Sequence, residues 1–158
     1  MISIPSALRL SFPLLLLVTA ACSRTAAQPT VEAALPAAPG QAWASAHDAL
    51  ARLDPHLRDA AGLGGRTATA KSSVVVAGYR FDQVAIAGLA DRDAVRSVTL
   101  SAPSPKSGCE KIREDLLKAL GSEWDAGETR LGAVTATKTG RSARIVCNGA
   151  EFSLAIIG

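Results

Sequence analysis

Apolar positions along this chain follow three different patterns. Residues 10–20, LSFPLLLLVTA, form an almost unbroken apolar run. Beyond Gln41 the spacing becomes helical: Trp43, Ala46, Leu50 and Leu53 recur on one face, and Leu57 continues it. That period predicts an amphipathic helix from Gln41 to Leu53. Pro55 interrupts it, and Asp54-Pro55 suits an N-cap followed by the first position of a second short turn. The glycines of AGLGGR then close the helical region. A phosphate loop would need a strand before such glycines and a helix after them, and this pattern offers neither.

From residue 67 to residue 102 the pattern changes to β-branched runs: TATAKSSVVVAG, QVAIAGL and AVRSVTLSA. The turn-like GYRFD and ADRDA separate them, which predicts three strands, the last with Val98, Leu100 and Ala102 on one face. Asp91 and Asp93 fall on one of these polar turns, where paired carboxylates are ordinarily solvated and hold no metal.

A second helix follows in SPKSGCEKIREDLLKALGSEW. Ser107 and Glu110 have the spacing of a capping box, and Gly121 supplies the stop. Cys109, Ile112, Leu116 and Ala119 or Leu120 share a face, which points Cys109 at the core.

The last segment contains two turn signals, Thr139-Gly140 and Asn148-Gly149. Two-residue loops would set Ile145 opposite Val134 and Phe152, and Ala143 opposite Ala136 and Leu154. One face then gathers Ala143, Ile145, Cys147, Phe152, Leu154 and Ile156. Thr135, Ser142, Arg144, Glu151 and Ser153 share the wetter one. The expected architecture is therefore α+β. An antiparallel sheet of about six strands, in the order helix-βββ-helix-βββ, lies under a disulfide-clamped helix.

Composition fits a single globular domain: 48% of residues are hydrophobic and 20% charged, far from the signature of disorder. With aromatics at 4%, the core must be aliphatic. The formal charge of +3 falls to +2 once residues 1–21, whose only charged side chain is Arg9, are set aside. That is too small to argue for a nucleic-acid partner.

The first 21 residues have the order of an export signal: a positive start, an apolar stretch too short to span a bilayer, then small residues. Val18-Thr19-Ala20-Ala21-Cys22 resembles a bacterial lipobox, with Thr19 where that family most often has Leu. The resemblance covers only the N-terminus and implies that Cys22 is acylated and begins the mature chain. Ser23 after the cysteine resembles lipoproteins passed to the outer membrane, which implies a protein held there and facing the periplasm. The membrane is thus one expected partner, through the lipid. Residues 22–40, rich in Ala and Pro, read as the lipidated cysteine and a tether. The globular domain would occupy 41–158.

Export implies an oxidising compartment, so Cys109 and Cys147 read as a disulfide between helix and sheet, with two buried free thiols as the alternative. No catalytic motif is present. His47 and His56 are nine residues apart with Pro55 between them, and neither HExxH nor CxxC spacing occurs. No metal or cofactor is expected. Trp124, in the loop GSEWDAGE, is the candidate hot spot for a partner, although a Trp folded back over the helix end fits the same position. Arg130, Lys138, Arg141 and Arg144 gather near the final hairpins as a candidate edge for an acidic partner or lipid headgroups, with an ordinary solvated basic edge as the plainer reading of the same residues. The leading reading is a lipid-anchored, non-catalytic envelope protein that binds another protein, as inhibitors, immunity proteins and assembly accessories do. The alternative is an envelope enzyme or a lipoprotein that binds a small ligand or glycan.

Overall fold

A computed structural model describes residues 30–158. Cys22, the expected export signal and the expected tether up to residue 29 lie outside the described residues. Among the described residues three helices, α1 (Val31–Ala34), α2 (Trp43–Leu53) and α3 (Cys109–Leu120), accompany eight strands. The strands are β1 (Arg58–Gly62), β2 (Gly65–Val76), β3 (Tyr79–Leu89), β4 (Val95–Ala102), β5 (Asp125–Ala126), β6 (Ala133–Lys138), β7 (Arg141–Cys147) and β8 (Phe152–Ile157). They make one antiparallel sheet in the order β1-β2-β3-β4-β8-β7-β6-β5. Each half is a helix followed by a four-stranded meander, and the halves meet where β4 pairs with β8.

The α+β class is as the sequence predicts, but the sheet has eight strands rather than about six. The extra two sit at the edges. All five residues of β1 are exposed, and β5 has only two residues, so neither carries the alternating apolar signal of a half-buried strand. The short turn expected at Pro55 forms: the Leu57 N–H donates to the Asp54 carbonyl at 3.1 Å, and the His56 N–H donates to the Asp54 side chain at 2.9 Å. The chain then passes into β1 and returns into β2 through Leu63-Gly64, where Gly64 has φ +79°. Leu53 is 48% exposed, so the buried face of α2 ends at Leu50.

Residues 31–40, expected to belong to a tether, pack on the domain instead. Val31 is fully buried and Ala37 nearly so, and both belong to the core. Glu32 Oε1 accepts a 2.7 Å bond from Arg141, which fastens α1 to the end of β7. A stretch dominated by Ala and Pro reads as linker because its few anchoring side chains are too sparse to make a period.

Sheet and helices enclose an aliphatic core. Val84, Ile86, Val98, Leu100, Ile145, Leu154 and Ile156 come from the sheet, and Leu50, Ile112 and Leu116 from the helices. Phe81 and Phe152 stack within it with ring centroids 4.8 Å apart. The disulfide Cys109–Cys147 joins the first residue of α3 to the last of β7. The capping box does not form: the N-cap is Gly108 at φ 80°, with no side-chain cap bond. Ser107 lies one residue too early for that geometry.

The Thr139-Gly140 hairpin has the expected register, with Val134 opposite Ile145 and Ala136 opposite Ala143. The Asn148 hairpin is shifted by two: Cys147 pairs with Phe152, and Ile145 with Leu154. Asn148 is the cause. Its side-chain oxygen accepts from the N–H groups of Ala150 and Glu151 at 3.0 and 2.9 Å, which opens the loop to four residues. A shift of two preserves side-chain parity, so every predicted inward residue remains inward. Glu151 moves from strand to loop, where its carboxylate accepts a 2.7 Å bond from Ser153.

Candidate protein-docking face

Among the described residues, helices cover only one side of the sheet. Strand register identifies the side chains on the other. On the central pair, Ser97, Thr99 and Ser101 lie opposite Ile157, Ala155 and Ser153. Next to β4, strand β3 contributes Ala87, Ala85 and Gln83, backed by Thr67, Thr69 and Lys71 of β2. Next to β8, strand β7 contributes Ser142, Arg144 and Val146, backed by Thr137, Thr135 and Ala133 of β6. Among these eighteen residues only Lys71 and Arg144 are charged; beyond the irregularity in the β2–β3 pairing, exposed Arg80 stands opposite Val75.

A one-sided antiparallel sheet usually turns long, charged residues to water. Here the wet side is a smooth field of Ser, Thr and Ala. Val146 and Ser153 on this side are buried, 3% and 7% exposed, so the side is not open at the Cys147 end of β7. Short side chains have little rotamer freedom to lose when a partner covers them. They also let a flat surface approach closely.

The residues singled out in the sequence do not converge on one patch. Trp124 is 7% exposed: it folds back into the core, with Lys138 Nζ 5.8 Å from its ring, and is not offered to a partner. Lys138 is held by Glu123 at 2.5 Å and faces Glu32 at 3.9 Å; Arg141 is held by Glu32. The predicted basic edge is thus neutralised by acids that lie far away in sequence. Arg130 stands at the opposite end of β6, beside Glu128 at 3.1 Å. Arg144 alone lies on the open face, and it has no ion-pair partner among the described residues.

The titratable groups that are brought together serve as ties. Tyr79 donates to Asp115 Oδ2 at 2.7 Å, and Lys111 donates to the same carboxylate at 2.9 Å, linking β3 to α3. Bonding from Lys111, then from Tyr79, holds the Asp115 carboxyl below its ordinary value. The same contacts raise Lys111 and Tyr79, each chiefly through its bond to Asp115. Asp54 is likewise lowered, first by the backbone N–H of Lys71 and then by that of His56. His47 meets Asp59 at 3.0 Å, which pins α2 to β1. Asp93 faces Arg66 at 3.5 Å, and Arg66 lies 4.3 Å above the Trp43 ring.

Among the described residues no group of three or more His, Cys, Asp or Glu side chains could hold a metal. No helix among them is long and apolar enough to cross a membrane. Among the described residues the fold is an α+β domain with one eight-stranded antiparallel sheet whose helices lie on one side. Compared with known proteins, the chain matches no family model, no curated protein and no solved structure.

Proposed function

We propose that this chain is a lipid-anchored, non-catalytic protein of the bacterial envelope that holds another protein against the uncovered face of its sheet. The observation that carries the reading is that face: broad, centred on the β4–β8 pair, and built from small side chains where water alone would favour charged ones. The resemblance at Cys22 supports a lipid anchor in the outer membrane.

The test uses the oxidised full chain, with a photo-crosslinking residue at Thr99 and, separately, at Glu114 on the helix side, in envelope preparations. Crosslinking of one protein from Thr99 but not from Glu114, abolished by Thr99→Arg, is the expected result. Equal labelling from both positions, or none from Thr99 in a folded protein, would refute the assignment.

A further inference from the structure

Leu131 is the least comfortable residue in the domain. It is 96% exposed and sits at φ +50°, the left-handed region that a bulky side chain avoids. Leu63, at the tip of another hairpin, is equally exposed but has no positive φ. Water alone explains a single exposed leucine. It does not explain one that is exposed and also held in an unfavourable backbone geometry.

Nor is Leu131 loose. Arg130 and Ala133 bond each other across the turn at 2.8 and 2.9 Å, and the N–H of Cys147 donates to Gly132 at 2.9 Å. Gly132 packs so closely that a Cβ there would lie 2.5 Å from that of Asn148. The side chain is therefore presented by a rigid turn.

Beside it opens a concavity of ≈ 520 Å³ whose charged lining residues are Lys106 and Arg113, with no carboxylate. Arg113 is anchored by a 2.6 Å bond to the carbonyl of Cys147, which fixes its guanidinium at the wall. Arg130, next to the turn, is already paired with Glu128 at 3.1 Å. The whole cluster lies at the Cys147 end of β7. The chain enters the domain at the Arg141 end, where α1 is fastened, roughly 20 Å away at ~3.3 Å per residue.

We infer that this end of the domain is a second recognition site, for an acidic protein segment that carries an apolar side chain. The cations take the carboxylates, and Leu131 packs on the apolar group. The inference rests on the reading of the chain as a protein-binding module, but not on the sheet face. A lipid surface fits less well, because the site points away from the end where the anchored N-terminus enters.

The probe is a fluorescein-labelled octapeptide alternating glutamate and leucine, titrated into the oxidised full chain and followed by anisotropy. A lysine–leucine octapeptide is the charge control. The acidic peptide is expected to bind, and to weaken about tenfold with Leu131→Asn and again with Lys106→Glu. Thr99→Arg should leave it within about twofold, since surface sites this far apart act independently. Asparagine suits the positive φ of this turn, so thermal melting will show whether Leu131→Asn stays folded. Equal binding of both peptides, no binding of the acidic one, or indifference to Leu131→Asn would overturn the site. Loss only with Thr99→Arg would move the peptide to the sheet face. Leu131-dependent sedimentation with phosphatidylglycerol vesicles, without peptide binding, would overturn it in favour of lipid.

Discussion

Reducing the Cys109–Cys147 bond removes a cross-link and leaves every other atom of the chain in place. The bond closes a loop with a sequence separation of 38. On the chain-entropy relation, opening that loop returns about 13 cal/mol/K to the unfolded ensemble, or about 3.9 kcal/mol at 25 °C. For a single domain stabilised by roughly 5–15 kcal/mol, this is a large share. Urea melts of oxidised and fully reduced protein, followed by Trp fluorescence, measure it directly. With a slope of about 1.5 kcal/mol/M, the midpoint should fall by about 2.5 M. A fall below about 0.5 M would refute the reasoning. It would mean either that the bond does not form or that the segment from α3 to β7 is already restrained in the unfolded chain.

Three further outcomes are expected. Leu131→Asn should raise the stability by about 1 kcal/mol and the Tm by roughly 4 °C, because Asn tolerates the left-handed region; an unchanged or lower Tm would show that Leu131 is not strained. Gly88→Ala should destabilise by about 1–3 kcal/mol, since its Cβ would lie 2.8 Å from the Ala94 carbonyl oxygen and 3.2 Å from the Trp43 ring, while Gly62→Ala, with nothing within 4 Å, should stay within about 0.5 kcal/mol. Asp115 titrates lower in the folded protein than its ordinary 3.8, so its contribution is complete above that value and is lost as pH falls through the lowered one. Wild type should therefore be more stable than Asp115→Asn at neutral pH, with the gap closing in acid melts below pH 3.8; a gap independent of pH would show that the carboxylate is not held by Lys111 and Tyr79.

Local pattern alone identified the elements that bury one face. The helical period from Trp43 to Leu50, the β-branched runs between residues 67 and 102, and the face of Cys109, Ile112 and Leu116 all reappear in the fold. So does the cysteine pairing, because each cysteine lies on an apolar face and the faces had to meet. Side-chain parity survived even where the Asn148 register was off by two, since a two-residue slip returns every side chain to its own side. The edge strands β1 and β5 stayed hidden because neither buries a face.

The site depended on contacts between residues far apart in sequence. Lys138 and Arg141 looked like a basic edge until Glu32 and Glu123 were folded against them. Trp124 looked available until the core closed over it. The bare face exists only because β8 returns to pair with β4, which joins two modest runs of Ser, Thr and Ala into one surface. The strain on Leu131 is set by a turn fastened to Cys147 and crowded against Asn148. Periodicity reports which side of a segment is buried, so the sequence determined the elements and their inward faces. Only tertiary structure decided which outward faces adjoin and which charges are already paired, because both depend on the distances between segments that folding creates.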